Sequence, residues 1–242
     1  MSDKHIDFQI YDYIDSHEYD DSSETPDDCE IGNYTIHLFG RTADDKDVYV
    51  KVLDYTPYFY VRIPDKWNKT KVNLFVDYIK EKVWNKYRSS LIDYDVVERY
   101  IAYGFTAGKT FKFIRFIFNN HDGMKKYSYI FNSKLRIPRV SNKLKKYKVY
   151  ESNILPMIRC MHIKDIKGCG WVRINKNEAH LVPEEDKISH CDIELKIKWT
   201  KIHKLEKDEI APLIIASFDI ETYSHDGKFP QAHRPQDKII QI

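Results

Sequence analysis

Pro57-Tyr58-Phe59-Tyr60-Val61-Arg62-Ile63-Pro64, together with the apolar residues spaced after it, decides the fold class. Aromatic and β-branched residues over 57–63 favour a strand, and Pro64, which has no amide hydrogen for a ladder, ends it. The period then changes. Val72, Phe75, Val76, Ile79 and Val83 fall at i, i+3, i+4, i+7 and i+11, one face of a helix expected over 69–88. Strand character returns over 93–102 and 110–118, a weaker helix is expected over 121–135, and a last strand near 146–150. Upstream, 34–40 and 48–53 read as two strands around the turn-rich stretch 41–47.

From residue 57 the order is strand, helix, strand, strand, helix, strand. This is the split βαβ or ferredoxin-like arrangement used by RNA-recognition modules, so the expected class is α+β, a mixed α/β chain with a β-rich part before it. The third strand, 110–118, is apolar on both faces and lacks the glycines of an RNA-binding signature, which makes it a core strand. After residue 151 come a short helical stretch at 152–162, a strand at 170–174 and a cleanly alternating strand at 191–199. The charged stretch 201–209 precedes a new apolar run at 212–218, and a domain boundary is expected there. The resulting division is an acidic segment at 1–30, a domain at 31–209 whose 57–150 part is ferredoxin-like, and a further domain starting at 210.

Composition narrows the classes. With 242 residues, 42% apolar, 31% charged, 8 Gly and 9 Pro, the chain is globular rather than collagenous or low-complexity. No apolar run reaches the ~20 residues of a membrane-spanning helix, and Met1-Ser2-Asp3-Lys4-His5 is unlike a secretory signal, so an intracellular, soluble protein is expected. The cysteines at 29, 160, 169 and 191 form no C-x-x-C pair, and reduced thiols are expected rather than a zinc site. The net charge of +2 conceals an asymmetry: residues 1–30 carry −10 and the remainder +12. Lys125, Lys126, Lys134, Arg136, Arg139, Lys143, Lys145, Lys146 and Lys148 lie in 123–150 without one acid, interleaved with Tyr127, Tyr129, Phe131 and Tyr147. Such a stretch attracts phosphate, and rings can stack on bases; a solvated charged face is the other reading. The acidic start reads either as a mobile tail or as a strand and loop.

Gly104-Phe105-Thr106-Ala107-Gly108-Lys109-Thr110 falls short of a phosphate-binding P-loop. It has three residues between the glycines where four are needed, and a β-rich run follows where a helix should begin. A sharper signal closes the chain: Ala216-Ser217-Phe218-Asp219-Ile220-Glu221-Thr222. On a strand, Asp219 and Glu221 share a face while Phe218 and Ile220 face a core. Two adjacent carboxylates suit a hard divalent ion, Mg²⁺ or Mn²⁺, and paired ions of this kind cleave phosphodiesters; a strand end with exposed acids is the other reading, and the commoner one for Asp-x-Glu taken in isolation.

The segment 217–222, then Asp226-Gly-Lys-Phe-Pro-Gln-Ala232 and Asp237-Lys-Ile-Ile-Gln-Ile242, closely resembles the first exonuclease motif of family B DNA polymerases, nearest to the delta-like branch that includes large DNA viruses. Val149-Tyr-Glu-Ser-Asn-Ile154 with Arg159, Gly168-Cys-Gly-Trp171 and Pro57-Tyr-Phe-Tyr60 resemble that family's N-terminal domain, so the likeness runs through most of 57–242. The resemblance implies that Asp219 and Glu221 are metal ligands of an RNase H-like 3′→5′ proofreading exonuclease. It implies that the preceding domain lines a template-strand path. The expected partners are primer-template and single-stranded DNA and the remainder of a polymerase chain; no processivity factor is assigned. The expected location is the nucleus or a viral replication site. The polymerase carboxylates and remaining exonuclease acids have no counterpart here, so a truncated piece, inactive by itself, is expected. A stand-alone nucleic-acid-binding module and a small metal-dependent nuclease are the alternatives.

Overall fold

The computed structural model describes residues 4–19 and 32–241. The chain divides into two compact units, Met1–Ala211 and Pro212–Ile242. Among its described residues the larger contains two sheets with a core each and a separate two-stranded hairpin.

The first sheet is built from β1 (His5–Glu18), β2 (Asn33–Thr42) and β3 (Asp47–Leu53), with partners from late in the chain: β10 (Trp171–Asn175), β11 (His180–Leu181), β12 (Ile193–Lys198) and β13 (Ile202–Leu205). Its order is β11-β12-β3-β2-β1-β10-β13; β12 and β3 run parallel and all other neighbours are antiparallel. Period-2 alternation puts Ile6, Phe8, Ile10, Ile36, Leu38, Val48, Val50 and Val52 on one buried face. The helix α3 (Pro156–Ile163) covers that face with Met157, Cys160 and Met161. Gly40 opposes Ile10 in the ladder, and a Cβ there would lie 2.3 Å from the Phe8 ring, so only glycine lets that ring lie flat.

β1 follows the strand reading of the acidic start. Its 14 residues occupy an inner position of the sheet, so 5–18 is a core strand rather than a mobile tail. The alternation of Ile6, Phe8 and Ile10 was legible within the acidic segment; a bulge between Ile10 and Asp12 then turns the acidic half of the strand outward. Residues 20–31, with most of the remaining acids and Cys29, lie outside the described residues.

The second sheet has the order β5-β6-β4-β9, antiparallel throughout: β4 (Tyr58–Arg62), β5 (Leu91–Arg99), β6 (Phe111–Phe118) and β9 (Val149–Tyr150). Two helices, α1 (Lys69–Lys82) and α2 (His121–Ile130), connect it, and a hairpin of β7 (Leu135–Ile137) and β8 (Ser141–Lys145) precedes β9. Asn68 caps α1 by accepting the Lys71 amide at 3.0 Å. Val72, Phe75, Val76 and Ile79 are buried as their spacing required, but the helix ends at Lys82: Val83 is extended, and a short 3-10 turn follows at Asn85–Tyr87. Asn120 likewise caps α2, accepting the Gly123 amide at 2.7 Å. This helix also stops short of its expected end, and Leu135 opens a strand instead. Phe116 and Phe118 of β6 are fully buried, so this strand supplies core, as its two apolar faces required.

Three of the contacts that tie the two layers are hydrogen bonds. The Tyr34 amide donates to the Asn119 carbonyl at 2.7 Å, and the His121 amide donates to His17 Nε2 at 3.1 Å. The third is Arg159 of α3, which reaches the carbonyl oxygen of Tyr58 on β4.

The smaller unit holds one ladder, β14 (Glu221–Tyr223) against β15 (Lys238–Gln241).

Candidate nucleic-acid interface and carboxylate pair

The nine cations of 123–150 are all exposed. Lys125 and Lys126 stand on α2, Lys134 follows it, Arg136 lies on β7 and Arg139 in the turn at positive φ, 63°. Lys143 and Lys145 lie on β8, while Lys146 and Lys148 lead into β9. The structure brings Lys145, Lys146 and Lys148 together around a groove that Arg62, Ile63, Pro64, Asp65 and Tyr147 complete. Arg62 enters because β4 pairs beside the approach to β9: its amide donates to the Lys148 carbonyl at 3.0 Å. Its guanidinium lies 4.0 Å from the centre of the Phe111 ring. Sequence reading missed Arg62 because the residue sits on a strand remote from the basic stretch.

The interleaved rings are not the stacking surface they suggested. Tyr127, Phe131 and Tyr147 are buried, and the 124, 127, 131 spacing is the core face of α2. Tyr129, 62% exposed, is the exception. The ammonium groups of Lys148 and Lys145 lie over the Tyr150 and Tyr147 rings at 4.9 and 5.4 Å, so these rings hold cations by their faces.

The smaller unit carries the carboxylates. Glu221 opens β14 opposite Gln241, but Asp219 precedes the ladder, and 212–220 forms no strand. The expected strand is thus corrected to begin at Glu221. Ladder hydrogen bonds need a partner backbone, and 212–220 has none among the described residues. Phe218 and Ile220 accordingly face solvent, 81% and 44% exposed, rather than a core. Asp219 Oδ1 accepts the Ile220 amide at 2.8 Å, and both carboxylates are accessible. Their oxygens are the hard donors that Mg²⁺ or Mn²⁺ prefers. Among the described residues no group of three or more His, Cys, Asp or Glu gathers as a metal cluster. The turn linking the two strands is organised by other acids. Asp237 accepts the Gln231 amide at 2.8 Å, which holds its carboxyl below the usual range, and Asp226 accepts the Lys228 amide and the Ser224 hydroxyl.

The upstream motifs have structural roles. Arg159, 5% exposed, donates to the carbonyls of Tyr58 and Glu151, pairs with the Glu151 carboxylate at 3.1 Å, and lies over the Tyr58 ring. Trp171 Nε1 donates to the Glu209 carbonyl at 2.7 Å, and the Lys207 ammonium lies 4.1 Å from the centre of its ring, which anchors the end of the larger unit.

Comparison with known proteins places these features. Residues 147–242 match the family model of the DNA polymerase family B exonuclease domain. Over its whole length the chain is 39% identical to a DNA polymerase of Acanthamoeba polyphaga mimivirus. Residues 147–242 thus belong to the exonuclease-domain family of the family B DNA polymerases. The chain is also 34% identical, over 86% of its length, to a DNA polymerase of Paramecium bursaria Chlorella virus NY2A. It is 28% identical over 86% of its length to the DNA polymerase delta catalytic subunit of Dictyostelium discoideum. It spans 14% of the mimivirus relative, 21% of the Chlorella virus relative and 19% of the Dictyostelium one. Its fold is similar to that of the family B DNA polymerase from Pyrobaculum calidifontis, with a TM-score of 0.59 at 18% identity, over 90% of this chain and 23% of that one. The family model begins at 147, within the larger unit, and so takes in β9 to β13 as well as the carboxylate pair.

Proposed function

We propose that this chain is the N-terminal part of a DNA-directed DNA polymerase that copies DNA and proofreads it by 3′→5′ hydrolysis. The carrying observation is the 39% identity to a viral DNA polymerase over the full chain, with the exonuclease-domain match taking in Asp219 and Glu221. On this reading the smaller unit supplies the opening strands of an RNase H-like exonuclease, and 57–150 is a ferredoxin-like module. The antiparallel order β5-β6-β4-β9, with α1 and α2 as connections, supports that module.

Asp219 and Glu221 would hold a divalent ion, Mg²⁺ or Mn²⁺, that activates water and stabilises the leaving oxygen. Two-metal hydrolysis needs further ligands, so these two residues alone supply an incomplete site. The larger unit contributes DNA binding. Its groove of Arg62, Lys145, Lys146 and Lys148 offers cations for template or single-strand phosphates. The rest of the polymerase chain is the other partner, and the workplace is the nucleus or a viral replication site inside the host cell.

The test uses the full-length polymerase carrying Asp219→Ala with Glu221→Ala. Degradation of a labelled primer from its 3′ end is expected to vanish while primer extension persists, because the two reactions use separate metal sites. Undiminished degradation would remove both residues from the mechanism.

A further inference from the structure

The loop between β5 and β6 carries Tyr100, Tyr103 and Phe105, which are 71%, 89% and 97% exposed. Rings of this size ordinarily gain by burial, so three left in water on one loop mark a surface that something covers. The loop is shaped for display. Gly104 and Gly108 adopt φ of +86° and +70°, and the Lys109 amide closes a turn onto the Thr106 carbonyl at 3.0 Å. A Cβ at either glycine would meet nothing within 4 Å, so these glycines serve the turn and not a tight contact.

The charges around the rings name the occupant. No acid occurs between Glu98 and Asp122, whereas Arg99, Lys109 and Lys112 flank the loop. At its root Phe111 pairs with Arg99 in the ladder and lies beneath the Arg62 guanidinium at 4.0 Å, with the Lys109 ammonium 5.7 Å from the same ring. Arg62 also lines the groove of Lys145, Lys146 and Lys148. One arginine therefore joins the cationic groove to the aromatic loop. Rings beside a phosphate-attracting track are the composition of a single-strand binding surface. A protein partner would more simply match an apolar patch without the cationic border.

We propose that Tyr100, Tyr103 and Phe105 stack unpaired bases of a single-stranded nucleic acid whose phosphates follow the groove of Arg62, Lys145, Lys146 and Lys148. The proposal rests on the DNA-binding reading above and adds the base-contacting element to it.

Fluorescence anisotropy of the 242-residue chain against labelled oligothymidylate, and against an abasic oligomer of equal length, tests it. Tyr103→Ala with Phe105→Ala is expected to weaken oligothymidylate binding about 5-fold or more, given the worth of one stacked base. Binding of the abasic oligomer and the salt slope are expected to stay unchanged, and Phe105→Trp to retain affinity. Lys145→Ala, Lys146→Ala and Lys148→Ala together are expected to lower both affinities and flatten the salt slope. Unchanged oligothymidylate affinity in the loop variant overturns the proposal while leaving the groove reading intact. If the same variant instead loses a self-association seen by ultracentrifugation, the rings belong to a protein contact and the proposal falls. Absence of binding to either oligomer overturns both readings. Far-UV circular dichroism of each variant checks folding, and Phe105→Leu replaces the double variant if that one unfolds.

Discussion

At the guanidinium of Arg159, three parts of the chain meet: α3 that bears it, β4 through the Tyr58 carbonyl, and the turn at Glu151. Its charge is buried, so breaking either bond would leave a backbone carbonyl unsatisfied. Arg159→Leu is expected to lower stability by about 2–4 kcal/mol, read as a shift in the urea midpoint. Glu151→Gln is expected to cost under about 1 kcal/mol, because that carboxylate is half exposed while its backbone carbonyl still accepts. Equal effects from the two changes would mean that the ion pair, and not the carbonyl bonds, holds the joint. Asp219 and Glu221 differ in kind. Exposed and outside any core, they contribute nothing comparable to stability, and their replacement is expected to leave the urea midpoint unmoved.

Among the elements, α1 is the clearest case of periodicity becoming packing. Phe75 is fully buried and meets Trp67, Phe116, Phe131 and Tyr147. Phe75→Ala removes a ring from this cluster and is expected to cost about 3–5 kcal/mol. Asn68→Ala removes only the cap and is expected to cost about 1 kcal/mol. Thermal unfolding of both variants checks the ratio, and a cap effect as large as the core effect would contradict the packing assignment. The β8–β9 approach presents the opposite chemistry, charge without burial. Replacing Lys145, Lys146 and Lys148 by Ala is expected to reduce the slope of log affinity against log salt. The reduction should be about 0.7 for each single-strand phosphate that these lysines neutralise. An unaltered slope would make them a solvated surface.

For the whole molecule, pH is the lever that separates buried imidazoles from surface charge. Burial pushes His37 below the ordinary imidazole range, outweighing the nearby Glu18 carboxylate, and Lys51 acts in the same direction as burial. Its Nδ1 lies 2.7 Å from the Tyr49 hydroxyl and its Nε2 2.8 Å from the Ser16 hydroxyl. His121 is likewise lowered, by burial first and then by Lys125. Both are held neutral when folded, so the unfolded chain binds more protons in acid. Their contribution is complete above the unfolded imidazole value of about 6.5, and it is lost as the pH falls from there through the lowered folded values. Urea midpoints measured from pH 7.5 to 5 are expected to decline over that window. His37→Gln with His121→Gln is expected to flatten the decline; a decline of the same steepness in that variant would assign it to carboxylates.

The sequence alone determined the elements of the second sheet, the buried face of α1 and the core character of β6. Each is a local matter of period, proline or residue chemistry. Tertiary structure alone decided which distant segments lie side by side. No local signal pairs β12 with β3 in parallel, or brings Arg62 to Lys148; those neighbours follow from how the two sheets close over their cores. The same cause reassigned Tyr127, Phe131 and Tyr147, since a ring in a basic stretch reads as a binding surface until the helix that carries it is packed. It also moved the start of the expected strand to Glu221. Apolar β-formers become a strand only where a second backbone accepts their hydrogen bonds, and in the described residues that partner begins at Lys238 and extends to Gln241.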